Sequence, residues 1–408
     1  MTVSQLLIYI SAAVLLQVLL ALAFTAWKRS NTAAPALLDA SPPTPKVDSA
    51  WSGWRDFRVA RRAWEDVTQS QCSFYLEPVD GAVLKPFKPG QYLTFSLKVS
   101  PQTSITRCYS LSDAPHPEHF RITVKRAVAP DLTPAVSPGV ASSYLHDQVQ
   151  VGDVLQVRAP SGHFFLHADE KVPAVLIGGG IGITPMMSML AWSLQEQPTR
   201  ALHLFYGVRN RADHAYKTTL ENLAQRHANV HLHVVYSRPT DSDALGQDYQ
   251  HKGHIDVDLI KQTLPHGRHQ FYICGSAPLM ESLVPALADW GVQRSDLHFE
   301  AFGPASVRLP GDSATLTPGD DAAPVEIHFA KSGRSLEWQA GDGTLLDFAE
   351  QHGIAMASGC RAGGCGCCET RITQGEVRYD NPPDYDAAPG HCLPCVARPA
   401  TATLGLSA

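Results

Sequence analysis

The sequence predicts a multidomain chain: an antiparallel β-barrel, a doubly wound α/β domain and a small α+β domain, in that order behind one N-terminal transmembrane helix. Three observations carry this. Residues 6–27 are almost wholly apolar, and no Asp, Glu, Lys or Arg precedes Lys28. From Trp51 short runs alternate apolar and polar side chains, whereas after Lys171 continuous apolar runs alternate with helical segments. Six of the nine cysteines crowd between Cys360 and Cys395.

The boundaries predicted are 1–29 for the anchor, 30–50 for a linker, 51–170 for the barrel, 171–303 for the α/β domain, 304–323 for a second linker and 324–408 for the last domain. The apolar stretch is long enough to cross a hydrocarbon core of roughly 30 Å as a helix. Lys28 and Arg29 follow at once, so the positive-inside rule puts Met1 outside and the folded domains in the cytoplasm of a bacterium, at its inner membrane. A cleaved signal peptide is the rival, with Ala21-Leu22-Ala23 as its site; the missing basic n-region and the basic pair beyond argue against it. Pro35, Pro42, Pro43 and Pro45 then mark a semi-extended tether. The net charge of -6 gives a general nucleic-acid-binding role no electrostatic support.

In the barrel, Leu93, Phe95, Leu97 and Val99 alternate with Thr94, Ser96 and Lys98, as a half-buried strand should, and 51–166 reads as all-β. In the α/β domain, the run at 172–177 ends in Gly178-Gly179-Gly180-Ile181-Gly182. Thr184 is expected as N-cap, Pro185 as first helical residue and 186–194 as helix. Strands at 202–206, 230–236 and 271–274 with helices between them imply a parallel sheet. The last domain opens with a hairpin, 325–329 and 336–338, before a short helix at 344–352.

The cysteine order is Cys360-x4-Cys365-x2-Cys368 with Cys395 far downstream, the spacing of plant-type 2Fe–2S ligation. Gly359, Gly363, Gly364 and Gly366 give such a loop the dihedral freedom to wrap a cluster. The pairs Cys365/Cys368 and Cys392/Cys395 would also suit a zinc ribbon, a reading that leaves Cys360 idle and the glycines unexplained. With Leu393-Pro394-Cys395, the segment from Cys360 to Cys368 closely resembles the ferredoxin modules of bacterial oxygenase reductases. That resemblance implies a β-grasp fold, the ligands Cys360, Cys365, Cys368 and Cys395, and Cys367 and Cys392 as non-ligands.

Upstream, Arg107-Cys108-Tyr109-Ser110 is similar to the Arg-x-Tyr-Ser motif of the ferredoxin–NADP reductase superfamily. A guanidinium can clamp a flavin phosphate, an aromatic ring can pack on the isoalloxazine and a hydroxyl can bond near its N5. The motif has companions in order: Tyr92; Thr123, Val124 and Lys125; Gly139, Ser142 and Ser143. The run from Gly139 to Leu166 is especially similar to the reductase part of flavohaemoglobins, which implies FAD, with FMN as the alternative. Gly179, Gly180 and Gly182, opening a helix at Thr184 and Pro185, suit a dinucleotide pyrophosphate. Cys274-Gly275 and Glu300 with Phe302 complete the superfamily pattern. The resemblance spans roughly residues 54–403 and implies catalytic roles for Ser110, Cys274 and Glu300, the latter two beside nicotinamide and flavin. NADH and NADPH are not distinguished: Arg209 and Arg211 could meet a 2′-phosphate, and no acid occupies the immediate turn.

The expected function is a membrane-anchored NAD(P)H-dependent reductase passing single electrons to an oxygenase, desaturase or similar redox partner. A quinone-directed oxidoreductase and a non-enzymatic redox sensor or scaffold are the alternatives. No internal repeat is found, and the histidines show no metal-ligand spacing.

Overall fold

The computed structural model describes residues 50–51, 53–127, 139–167, 171–301, 324–359, 361, 363–380, 383 and 385–408, together with Gln17. Ser49–Ala408 forms one compact unit. The predicted anchor at 6–27 lies outside the described residues apart from Gln17, as do the linker at 304–323, Phe302 and Cys360. Among the described residues no helix is long and apolar enough to cross a membrane.

The first domain is an antiparallel sheet of β1 (Arg55–Trp64), β2 (Gln71–Pro78), β3 (Tyr92–Ser100), β4 (Thr103–Ser110), β5 (Phe120–Lys125) and β6 (Val154–Ser161). The order is β4-β3-β6-β1-β2-β5. A bridge between Leu111 and Ile122, with Ser112 N–H donating to Arg121 O at 2.8 Å, joins the two outer strands and closes the barrel. Alternation fills its interior with Phe57, Phe74, Leu76, Leu93, Phe95 and Ile122, all fully buried. The unit is not purely β: α1 (Val140–Asp147) packs Ala141 and Leu145 onto the barrel core. Its two central serines masked the helical pattern in the sequence.

The second domain is a parallel sheet in the order β10-β9-β8-β7-β11-β12. Its strands are β7 (Ala174–Gly179), β8 (Leu202–Val208), β9 (Val230–Tyr236), β10 (His251–Lys252), β11 (Gln270–Gly275) and β12 (Leu297–Ala301). Helices α2 (Ile183–Glu196), α3 (Lys217–Arg226), α4 (Val257–Thr263) and α5 (Ala277–Asp289) connect them. Both sheet faces are buried, which explains the unbroken apolar runs. Leu176 and Leu204 face one core with Met186 and Leu190, while Val175, Ile177 and Phe205 face another with Leu283 and Val284.

The third domain has the order β14-β13-β19-β15-β17 beside a β16-β18 pair. Here β13 (Val325–Phe329) pairs antiparallel with β14 (Arg334–Trp338) and parallel with β19 (Thr403–Leu406). The rest are β15 (Thr370–Gln374), β16 (Val377–Tyr379), β17 (His391–Cys392) and β18 (Ala397–Pro399). Across the sheet lies α6 (Leu345–Gln351), started by a capping box in which Thr344 and Asp347 satisfy each other's backbone N–H groups. Its Leu345 and Phe348 bury against Ile327, Phe329 and Trp338, the helix-on-mixed-sheet arrangement of a β-grasp fold.

Candidate functional site

A cavity of about 390 Å³ opens at the carboxyl ends of β7, β8 and β11. It lies where strand order reverses, with β8 on one side of β7 and β11 on the other, the switch point at which doubly wound sheets bind ligands. The three glycines there do different jobs. A Cβ at Gly182 would sit 2.1 Å from Cys274 O, and one at Gly179 2.6 Å from a Leu279 methyl, so both keep the turn packed on β11 and α5. Gly180 instead has φ +56 with open space around it, and it lines the cavity. Thr184 is not the N-cap. A single 3₁₀ turn (Gly180–Gly182) precedes α2, Gly182 occupies the cap, and the Thr184 hydroxyl donates back to Ile181 O at 3.0 Å. Pro185 is buried in the first turn. Gly275 and Ser276 form the opposite wall.

Lys125, at the end of barrel strand β5, also lines this cavity, so the first two domains build it jointly. Across from it stands an acid the sequence reading did not find. Asp213 lines the wall and accepts from Arg209 Nε at 2.5 Å. Its main-chain carbonyl is held by Gln71 Nε2 of the barrel at 3.0 Å. Arg211 pairs with Asp248 at 3.7 Å and is not part of the wall. Cys274 and Glu300 stand opposite each other in the β11–β12 register. The Cys274 thiol is fully buried, and burial first, with the Glu300 charge second, raises it well above the usual thiol range, so it keeps its proton.

On the barrel, the register pairs Tyr92 with Ser110, Leu93 with Tyr109, Thr94 with Cys108 and Phe95 with Arg107. Arg107 and Tyr109 therefore share one face of β4, and Cys108 and Ser110 the other. Tyr109 meets Phe95 edge to face at 5.7 Å. Arg107 is exposed; its Nη1 donates to Thr106 O at 2.7 Å, one donor of a five-donor group that suits a phosphate. Ser110 and Tyr92 are buried, and Cys108 Sγ lies 3.4 Å from Thr94 Oγ1. Thr123 was expected at the cofactor, but its hydroxyl is spent on Ser73 (2.7 Å), Ser112 (2.9 Å) and the Tyr216 phenol. Val124 is core, and its carbonyl meets His146 Nε2 at 2.9 Å. Gly139 caps α1, where Ser142 Oγ donates to Gly139 O at 3.0 Å and accepts Ala127 N–H at 3.1 Å. A Cβ at Gly139 would meet Ala127 at 2.8 Å; Ser143 N–H donates to Gly139 O at 2.9 Å.

The cysteines separate by environment. Cys368 and Cys395 place their sulfurs 3.2 Å apart, and the neighbouring Cys395 thiol holds Cys368 below the usual thiol range. Cys365 is buried nearby, against Gly359, where a Cβ would lie 2.7 Å from its sulfur. Cys392 sits in the domain core with Trp338 and Leu404, and burial pushes it up to about 12. Cys367 is half-buried, with its sulfur 3.8 Å from Cys365 O. Converging buried thiols on a glycine-rich loop fit an iron–sulfur cluster.

Three family models match in order: an oxidoreductase FAD-binding domain over residues 69–166, an oxidoreductase NAD-binding domain over 176–284 and a 2Fe–2S iron–sulfur cluster binding domain over 327–400. A flavohemoprotein of Chromobacterium violaceum is 41% identical over 267 residues, covering 65% of this chain, which spans 64% of that relative's length. The solved FAD/NAD-binding domain of nitric oxide dioxygenase from Vibrio cholerae is 31% identical, with TM-score 0.52 over 61% of this chain and 99% of that one. Phthalate dioxygenase reductase, described as modular for electron transfer from pyridine nucleotides to a 2Fe–2S centre, is 26% identical, with TM-score 0.52 over 87% of this chain and 98% of its own. The domains are thus those of an NAD(P)H-dependent flavin and iron–sulfur oxidoreductase, and the chain belongs to the ferredoxin–NADP reductase superfamily, fused to a C-terminal plant-type 2Fe–2S ferredoxin domain.

Proposed function

We propose that the chain is a membrane-anchored reductase that takes a hydride from NAD(P)H onto FAD and sends single electrons through its 2Fe–2S cluster to an oxygenase, a desaturase or a similar redox partner. The observation that carries the reading is the shared cavity, whose wall combines Lys125 of the barrel with the glycine turn of the nucleotide domain. When bound, the flavin accepts two electrons as a hydride and returns them one at a time, matching a two-electron donor to a one-electron cluster.

The side chains then have defined work. Gly180 and the N-terminus of α2 receive the nicotinamide pyrophosphate, with Lys125 beside it. The Arg209–Asp213 pair faces the adenosine end. Arg107 holds a flavin phosphate, Tyr109 and Tyr92 flank the flavin, and Ser110 donates near its N5. Gly139, Ser142 and Ser143 shape the N-terminus of α1 for the same cofactor. Cys274, kept protonated, is an uncharged packing group at the end of β11, which leaves Glu300 as the titratable side chain there. Cys360, Cys365, Cys368 and Cys395 hold the cluster, and Cys367 and Cys392 do not.

The partner class follows the likeness to phthalate dioxygenase reductase. The anchor follows the sequence of residues 6–27, which would hold the domains at the cytoplasmic face of a bacterial inner membrane and raise the effective concentration of a membrane-bound acceptor. Removing residues 1–27 should release the protein from membrane fractions and lower acceptor turnover in membranes, with NAD(P)H-dependent reduction of ferricyanide retained. Unchanged fractionation and turnover would contradict the anchor.

A further inference from the structure

The loop carrying Cys365 and Cys368 is overlaid by a short segment whose point of contact is Tyr385. Its backbone N–H donates to Gly363 O at 2.9 Å. Its ring packs against Gly366, where a Cβ would come within 2.3 Å of the ring carbon Cζ. Gly366 also has φ +66, so glycine there serves both the ring and the turn. The Tyr385 hydroxyl donates to Glu369 Oε2 at 3.1 Å, and Glu369 Oε1 accepts the Ala388 N–H at 2.6 Å. Glu369 N–H closes the circuit on Gly366 O at 3.0 Å. The same ring packs against the apolar cluster that contains Cys368 and Cys395.

We propose that Tyr385 is a positioning residue for the cluster loop: together with Glu369 it clamps the glycine-rich cysteine turn and keeps water from the cluster sulfurs on the side its ring covers. The inference rests on the relay reading above. Hydrogen bonds and solvent around an iron–sulfur centre set its potential and its retention. Without the ring, water reaches the sulfurs and stabilises the more negative reduced state, so the midpoint potential rises.

The test uses the full chain with both cofactors bound and compares Tyr385→Phe, Tyr385→Ala and Glu369→Gln. Three quantities are read: cluster midpoint potential by paramagnetic resonance titration, bleaching rate with a ferrous chelator, and flavin reduction by NADH. Tyr385→Ala should bleach about tenfold faster and titrate at a higher potential, with flavin reduction unchanged. Tyr385→Phe, which removes the phenol's hydrogen bond and keeps the ring, should show a smaller shift in the same direction, and Glu369→Gln, whose amide can still bond both partners but lacks the charge, should raise the potential with bleaching unchanged. If Tyr385→Ala fails to retain the cluster, the two milder variants decide alone. Wild-type potential and bleaching in the variants would overturn the proposal. Absence of a cluster signal in the wild type would instead overturn the relay reading beneath it.

Discussion

The Tyr216 phenol hydrogen-bonds Thr123 across the boundary between the nucleotide domain and the flavin barrel. Tyr216 adopts φ +59 as the N-cap of α3, a left-handed conformation that is uncommon for a bulky residue. Its N–H donates to Glu65 O at 3.0 Å, and Arg121 stacks on its ring at 5.4 Å. Burial raises the phenol above its usual range, so it stays neutral and bonded. Tyr216→Phe should cost about 1 kcal/mol, because Thr123 keeps Ser73 and Ser112. Tyr216→Ala should cost about 3–5 kcal/mol through the emptied volume. Denaturant midpoints with unchanged slope would measure both.

The glycine turn makes a graded prediction. Gly182→Ala forces a methyl into the Cys274 carbonyl and should weaken NADH binding more than tenfold, while overpacking costs about 1–3 kcal/mol. Gly180→Ala meets open space and only the left-handed strain of about 1 kcal/mol. Dissociation constants for NADH measured on both variants should rank in that order.

On the proposed function, the Arg209–Asp213 pair should govern choice of donor. Asp213→Asn removes a carboxylate from the cavity wall and frees the guanidinium for a phosphate. Arg209 is mostly exposed, so the gain is about 1 kcal/mol, roughly a fivefold rise in the NADPH-to-NADH ratio of kcat/KM. A ratio that stays fixed would remove Asp213 from the donor site.

Acid should loosen the nucleotide domain before neutral pH does. His203 and His233 are lowered to about 4, and His214 to about 3, each chiefly by burial. His203 stacks on His231 at 4.6 Å with His233 and His269 around it. A histidine with a depressed native pKa binds its proton preferentially when unfolded. Its contribution is therefore fully present above about pH 6.5 and is lost as pH falls toward 4. Melting temperature should drop from pH 7 to pH 5, and His203→Gln should flatten that slope.

Alternation at 93–99 exposed the barrel strand, and the unbroken apolar run before Gly178 exposed the parallel sheet, because each pattern records which faces are buried. Cysteine spacing likewise carries its own geometry. What escaped the sequence depends on contacts between distant segments. Asp213 reaches the cavity only because the turn after β8 folds back, with its carbonyl held by Gln71. Thr184 lost its cap role to an inserted 3₁₀ turn, and the Thr123 hydroxyl is engaged by Tyr216, whose backbone conformation no pattern signals. The Tyr385 clamp was equally hidden, since nothing local links it to Gly366.

The most direct measurement is an anaerobic titration of the full-length protein with NADH and NADPH, followed by visible absorbance and electron paramagnetic resonance. The relay predicts bleaching of the flavin band together with a low-temperature signal from a reduced 2Fe–2S centre. That signal should be retained in Cys367→Ser and Cys392→Ser and lost in Cys368→Ser. Flavin bleaching with no cluster signal at any donor concentration would contradict it.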